Sequence, residues 1–413
     1  MTATDSQDEF TPATVAELSR FMRENSTDGR RSIVPVGGRT ALNYGHSTPE
    51  DSLRVSTAQL QRVIDYPARD MTITVEAGIR MDELAKTLKA ENQRLPVDVA
   101  QSQRATLGGV IATNTSGPRR FGHGTMRDYV IGISGVDASG RHFKAGGRVV
   151  KNVAGYDLCK LMVGSLGTLA IITQVTLKLR PTVASSALVW MIFPKYASID
   201  EVLESLLASQ TRPISVEVLD PKAADHVSSD ARCQLPNQSP VLIIGFEGSD
   251  SETQWQIETL EQECAEFKPA ATHVLNRKDA DSVWKSLTEY ATWSDDPLTF
   301  QANLRPSKAI EFIERATKLG VAVQAHAGNG TVVGHLSDEA STLESCQSIL
   351  DELRQIARAS QGNLVVLRCD DDWKAALPVF GEPEDAWPLM QRVKAELDPN
   401  GILSPGKIWK GHQ

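Results

Sequence analysis

The chain has 413 residues, of which 41% are hydrophobic and 23% charged, with a formal net charge of −9. That length allows two or three domains with cores of their own, and the acidic balance excludes nucleic acid or an anionic membrane as the main partner. No apolar run nears the ~20 residues that span a bilayer, and the first residues lack the basic start and apolar core of a signal peptide. The expected compartment is the cytoplasm, with any membrane attachment made through partner subunits.

In chain order, residues 12–25 place Val15, Leu18, Phe21 and Met22 on one helical face. Strands are expected at 32–36, weakly at 53–58, and at 71–77, the last closed by Gly78. Asp82 is expected to cap a helix running to about Asn92. Residues 130–137 and 141–144 form a hairpin about Ser139-Gly140, 156–163 a short helix and 169–179 a strand. After Pro181 glycine-rich loops become rare. Strand and helix patterns alternate at 187–193, 199–209, 214–219, 241–247, 252–267, 307–319, 322–326, 332–336, 339–360 and 363–368, an α+β layer on an antiparallel sheet. Residues 386–397 read as an amphipathic helix before a turn-rich closure, Asp398-Pro-Asn-Gly-Ile-Leu-Ser-Pro-Gly406.

Three glycine-bearing loops fall in the first ~180 residues, the arrangement a dinucleotide held along its length requires. Pro35-Val-Gly-Gly-Arg-Thr40 follows a strand, so that Gly37 and Gly38 free backbone amides for phosphate oxygens while Arg39 adds charge and Thr40 a hydroxyl. It is neither G-x-x-x-x-G-K-[ST] nor G-x-G-x-x-G, which excludes a nucleoside-triphosphatase loop and disfavours a Rossmann nicotinamide site. In Thr106-Leu-Gly-Gly-Val-Ile-Ala-Thr-Asn-Thr-Ser-Gly117, Thr106 can cap a short helix, and Gly108 and Gly109 let a ligand lie on bare backbone. Lys151-Asn-Val-Ala-Gly-Tyr-Asp157 and Gly164-Ser-Leu-Gly-Thr168 complete the set. The five cysteines are odd in number and none is in C-x-x-C spacing, so no disulfide framework, zinc site or iron–sulfur cluster is expected of this chain.

The order P-x-G-G-x-T, T-L-G-G-x-I-A-x-N-x-S-G, R-D, K-N-V-A-G-Y-D-L, G-S-L-G-T-L-x-I-I-T and a final D-P-N-G-I-L-S-P-G-K resembles the vanillyl-alcohol oxidase group of flavoproteins. Within that group it is most similar to the glycolate oxidase and D-2-hydroxyacid dehydrogenase branch. The resemblance implies an α+β fold in three parts. Residues 1–182 would form a two-subdomain PCMH-type FAD-binding domain, 183–375 an antiparallel-sheet cap, and 376–413 a segment returning to the FAD domain. It implies FAD held by Pro35, Gly37, Gly38, Arg39 and Thr40 at the pyrophosphate, with Gly78, Thr106, Gly108, Gly109 and Gly167 in support. Asn114, Ser116 and Gly117 would lie near dinucleotide and flavin, and Ile171 or Ile172 near the adenine. Covalent members carry a histidine where this chain has Arg39, so non-covalent FAD is implied; His46 is a weak alternative for attachment.

Catalytic members of that branch carry cap motifs resembling H-x-G-D-G-N-x-H and E-H-G-x-G. Here the first reads His326-Ala-Gly-Asn-Gly-Thr-Val-Val-Gly-His335, with Asn329 in place of the acid and His335 displaced. The second is missing from Gln361-Gly-Asn-Leu-Val-Val-Leu-Arg-Cys-Asp370. No metal site is expected, because a divalent cation needs several ligands. His326 is the catalytic candidate, Arg305 and Arg368 are candidate carboxylate binders, and Asp370–Asp372 reads as a solvated turn. The pattern resembles the E-type FAD-binding subunits of bacterial glycolate oxidase complexes, which implies a related flavoprotein subunit and an iron–sulfur subunit as partners. A self-sufficient 2-hydroxyacid dehydrogenase and a non-catalytic, FAD-stabilised assembly subunit remain the alternatives.

Overall fold

The computed structural model describes residues 8–147, 157–293, 296–337 and 342–409. The chain divides into two units. One holds residues up to 115, 125–182 and 382 onward; the other holds 116–124 and 183–381.

The first unit carries two sheets. Glu9–Phe10, Leu53–Ser56 and Ile33–Val36 pair in parallel, with Leu53–Ser56 in the middle. Five antiparallel strands follow in the order Val63–Asp65, Thr72–Glu76, Ile171–Lys178, Val130–Val136, His142–Gly146. The helix Val15–Glu24 lies between them, its Leu18 and Met22 fully buried with Ile33, Val55, Val136, Ile171 and Leu403. Thr14 caps it, accepting from Glu17 N–H. On the other face of the five-stranded sheet, Val75, Val175 and Leu177 pack on Leu84 and Leu88 of the helix Met81–Lys89 and on Leu107, Val110 and Ile111 of Leu107–Thr113. Arg80, not Asp82, holds the capping position of Met81–Lys89; Asp82 sits in its first turn and pairs with Lys86 at 3.1 Å.

The closing D-P-N-G-I-L-S-P-G run belongs to this unit. Asp398 is buried and accepts from the amides of Ile402 and Leu403, and Ile33 exchanges bonds with the residues beyond: Ile33 N–H to Ile402 O and Ser404 N–H to Ile33 O, both 2.7 Å.

The second unit is built on one eight-stranded antiparallel sheet. Its order is Ala271–Asn276, Ser185–Ile192, Val241–Gly248, Ser215–Leu219, Ala322–His326, Thr331–Leu336, Leu298–Asn303, Asn363–Cys369. Alternation splits the central strands between two cores. Val189, Met191, Val216 and Val218 face the core under Asp250–Cys264, Ala309–Lys318 and Leu343–Ala359. Leu188, Trp190 and Leu219 face Pro221–Asp230 and Arg277–Glu289. The α+β architecture with an antiparallel-sheet domain is therefore as the sequence implies.

Two boundaries differ. The second unit runs to 381 rather than 375, and it takes residues 116–124 out of the FAD-domain stretch. The reason is local bonding. Gly122 N–H donates to Ile214 O at 3.0 Å, and Arg119 and His123 both reach Glu247 of the sheet. The Asp370–Asp372 run is solvent-exposed as expected, but it opens a short helix, Asp371–Ala376, rather than forming a turn.

Candidate functional site

The glycine loops of the first unit converge on the helix Leu107–Thr113. A β-carbon on Gly37 would lie 2.0 Å from Thr106 Oγ1, one on Gly38 1.8 Å from Arg104 O, and one on Gly167 3.3 Å from Pro35 Cγ. Leu166 N–H donates to Ala112 O and Gly164 N–H to Ile111 O, which fixes the loop 164–168 to the end of the same helix. Gly78 is held against Thr57 O, and Gly108 against Ala77. Several of these glycines are thus required by chain packing on chain, a different reason from the close ligand approach expected of Gly108. Gly109 is exposed, and a β-carbon there would meet nothing within 4 Å except Thr106 Oγ1 at 3.3 Å.

Thr106 sits at the helix-capping position, yet its side chain makes no capping bond. Its Oγ1 is buried without a hydrogen-bond partner, and so is Ser165 Oγ in the adjoining loop. A buried hydroxyl with no partner costs about 1–3 kcal/mol, so two of them beside the glycine loops mark a place completed by a polar ligand. A phosphate-bearing dinucleotide fits that requirement; if FAD is the ligand, Thr106, Gly109 and Ser165 are the residues with groups left to hold it. Asn114 ends the helix in the left-handed region at φ +53°, where its short polar side chain is tolerated.

The other expected residues have different surroundings. Arg39 adopts φ +58°, and its guanidinium is paired with Glu9, so the loop's positive charge is already matched. Thr40 is half-buried in the turn that follows. Ile171 and Ile172 are buried in two different protein cores. Ser116 and Gly117 cluster with the second unit rather than with the loops around Leu107–Thr113. His46 is buried, its N–H donating to Lys407 O at 2.9 Å. Residues 151–156 of the Lys151–Asp157 block lie outside the described residues.

In the second unit a polar row crosses five adjacent strands of the apolar sheet. Asn363, Asn303, Thr331, His326 and Glu217 are successive register partners. Direct partners in antiparallel strands share a face, so all five project to one side. Glu217 is fully buried. It accepts from His326 Nδ1 at 2.7 Å and Gln324 Nε2 at 2.9 Å on Oε2, and from Ser215 Oγ at 3.2 Å on Oε1. Asn303 Nδ2 donates to Asn363 Oδ1 at 2.8 Å and its Oδ1 accepts from Gln301 at 3.1 Å. In the turn after His326, Asn329 Oδ1 is buried without a partner, and the ring of Phe121 packs on Gly328.

His335 is not part of this row. It pairs with Ala322, four residues from His326 along the strand, a separation of about 13 Å at ~3.3 Å per residue. Its Nε2 bonds Tyr290 O at 2.9 Å and its Nδ1 bonds Thr299 Oγ1 at 3.2 Å. Burial drives its pKa down to about 3. The two histidines cannot share a metal ion, and among the described residues no group of three or more His, Cys, Asp or Glu is arranged to hold one.

Arg305 is exposed, and Arg368 donates to the carbonyls of Trp293 and Asp296. All five cysteines are free, and burial pushes the thiols of Cys159 and Cys369 up to about 11 and that of Cys264 to about 12. No helix among the described residues is long and apolar enough to cross a membrane.

Sequence reasoning did not reach Glu217, Gln324, Asn303, Thr331 or Ser165. The available signal was alternation: Ser215-x-Glu217 and Gln324-x-His326 place polar residues at every second position of strands whose other residues are apolar.

Two family models cover most of the chain. Residues 9–146 match the FAD binding domain model, and 182–364 with 381–408 match that of the FAD linked oxidases, C-terminal domain. The chain is 26% identical to glycolate oxidase subunit GlcD of Bacillus subtilis over 96% of its own length and 88% of the relative's. It is also 26% identical to glycolate oxidase subunit GlcE of Escherichia coli, over 84% of each. A solved alkyldihydroxyacetonephosphate synthase shares the fold at a TM-score of 0.67, with 17% identity over 97% of this chain and 77% of that one. The chain belongs to the FAD-linked oxidases and is an oxidoreductase whose cofactor is FAD.

Proposed function

We propose that the chain is an FAD-binding subunit of a glycolate-oxidising complex, acting on the CH–OH group of a small 2-hydroxy acid and passing electrons to partner subunits. Those partners would be a related flavoprotein subunit and an iron–sulfur subunit, and the FAD is held non-covalently. The observation that carries this reading is the state of the cap. His326 is kept, but its Nδ1 is bonded to Glu217, and its sister His335 lies about four strand positions away, buried and bonded to Thr299 and Tyr290 O. A cap of this kind keeps one polar group for a hydroxy acid while lacking the paired motifs of the metal-bearing members. The similarity to two glycolate oxidase subunits supports both substrate class and assembly.

The cofactor's chemistry is a two-electron oxidation. The chain's own contribution is to hold it through the loops about Leu107–Thr113 and to present His326 to the hydroxyl. The purified, FAD-loaded chain is mixed anaerobically with glycolate, then with D-lactate, while the flavin spectrum is recorded. Bleaching by the chain alone, with multiple turnover only after the partner subunits are added, is the expected result. Multiple turnover without partners would establish a self-sufficient dehydrogenase instead. No bleaching under either condition would leave an assembly subunit.

A further inference from the structure

We propose that the first unit carries a second ligand site, a cavity on the polar face of its five-stranded sheet that takes a small oxyanion, with Lys144 as its cation and Ser134 at its floor. The site is separate from the glycine loops about Leu107–Thr113, and it does not depend on the substrate class proposed above.

The cavity has a volume of about 120 Å³, and its walls include Ile64, Thr74, Ser134, Lys144, Gln174 and Thr176. That is several times the space a single water needs. Strand register explains why polar side chains meet there. Ser134 is paired with Lys144 on one side and Gln174 on the other, and Thr176, two residues beyond Gln174, is paired with Thr74. Direct partners, and residues two apart, share a face, so the five groups project together. Val75, Val175 and Leu177 alternate with them and pack on the helices Met81–Lys89 and Leu107–Thr113. The cavity and the helix on which the glycine loops converge are therefore on opposite faces of the sheet. Gly132, a further partner of Thr176, has no side chain to fill the space; a β-carbon there would lie 3.1 Å from Thr176 Oγ1.

The chemistry of the wall selects the ligand. Ser134 is only 3% exposed, whereas Lys144 and Ile64 are exposed at the mouth. Among the described residues, Ser134 Oγ, the Gln174 amide and Lys144 Nζ make no hydrogen bond or ion pair. The Thr74 and Thr176 hydroxyls bond each other at 3.0 Å, which uses one of their two hydrogens and leaves the other. Lysine only donates, and no carboxylate lines the cavity. Glu76, the partner of Gln174, is matched by Arg62 at 2.8 Å, and Asp65, the partner of Thr74, is not in the wall. One unmatched cation above a floor of neutral donors suits a ligand that offers several acceptor oxygens and negative charge. The volume limits that ligand to the size of a phosphate or a short carboxylate.

The test uses the full FAD-loaded chain, so that groups serving the cofactor's own phosphates are already taken. Inorganic phosphate and, separately, acetate are titrated at constant ionic strength made up with chloride. Binding is read from the saturable rise in melting temperature and from slowed amide exchange across 130–136 and 171–178. At least one anion should saturate. Lys144→Met should weaken it about tenfold or more, Lys144→Arg should keep it, and Ser134→Ala should weaken it about tenfold. Lys144 is exposed and unpaired, so its variants should melt as wild type does without ligand. If Ser134→Ala fails to fold, Gln174→Leu takes its place. Tighter phosphate assigns the site to a phosphate-bearing ligand, tighter acetate to a small carboxylic acid, and either result upholds it. The site is overturned if neither anion saturates, or if Lys144→Met and the floor variant leave affinity within about twofold of wild type.

Discussion

Gly37 and Thr106 meet so closely that a β-carbon on the glycine would lie 2.0 Å from the threonine hydroxyl. The contact joins two loops that are 69 positions apart in sequence, and it makes the glycine obligatory for packing before any cofactor arrives. Gly37→Ala should destabilise the first unit by about 1–3 kcal/mol and lower the FAD content of purified protein. Thr106→Ala in the same chain should recover part of that loss, since the remaining contact is at 3.2 Å. Gly38→Ala should show no such rescue, because its obstacle is the backbone oxygen of Arg104 at 1.8 Å. Thermal melts of the single and double variants, combined as a cycle, check this.

The Thr106 hydroxyl itself separates folding from cofactor binding. It has no partner within the protein, so Thr106→Val should leave the apo protein within about 1 kcal/mol of wild type. If the hydroxyl serves FAD, the same variant should bind it about tenfold more weakly, the equivalent of about 1.4 kcal/mol. Ser165→Ala should behave likewise. Titration of apo protein followed by flavin fluorescence gives the answer. Unchanged affinity in both variants would remove these hydroxyls from the cofactor site.

Glu247 anchors the segment 116–124. Its carboxylate is almost wholly buried and takes Arg119 Nε at 3.1 Å on one oxygen and His123 Nε2 at 2.9 Å on the other. Arg119 also lies 4.1 Å over the Trp284 ring. Glu247→Gln removes the charge that Arg119 faces and an acceptor for His123, and should cost about 2–4 kcal/mol. The loss should appear first as faster amide exchange across 116–124. Uniform acceleration over the whole second unit would point to a general packing defect instead.

His335 makes the second unit acid-sensitive. Its pKa of about 3 in the folded chain, set by burial, lies below the 6.5 of an exposed ring, so the unfolded state binds the proton first. Arg368 and His226 act in the same direction, while the Tyr290 carbonyl opposes it; Asp296, 3.5 Å from Nδ1, does not reverse the balance. Its contribution is therefore complete above pH 6.5 and falls as pH drops toward 3, by about 2 kcal/mol at pH 5. His335→Gln should flatten the urea-unfolding free energy between pH 7 and 5 by that amount. An equally steep variant would assign the acid sensitivity to other groups.

Much of the first unit was legible because its loops are written in glycine and proline, whose backbone demands survive as a pattern in a single sequence. What they demand was less legible. Gly108 reads as a ligand contact, and the structure shows it packed on Ala77. The cap was harder for a physical reason. In a strand buried on both sides, a polar residue is conspicuous only when its partner strand is known. Glu217 alone reads as a solvent-facing position; beside His326 it is half of a pair. Leu298–Asn303 alternates Leu, Phe and Ala with Thr, Gln and Asn, the period of a two-faced strand. The placement of 116–124 could not be read at all, since it depends on partners more than 90 residues away, Ile214 and Glu247.

Ile33, whose strand leads into the Pro35–Thr40 loop, is bonded on one side by Ile402 and Ser404. Lys407 reaches Leu42 O at 2.6 Å just beyond that loop. During synthesis, then, the loop emerges almost 370 residues ahead of the backbone that braces it. A chain synthesised only as far as the loop has the glycines but not their support, so cofactor loading belongs after residues 402–407 have joined the unit. The turn about residues 402–407 acts as a latch on the first loop, and a ligand-ready first unit is also a report that synthesis has passed residue 407.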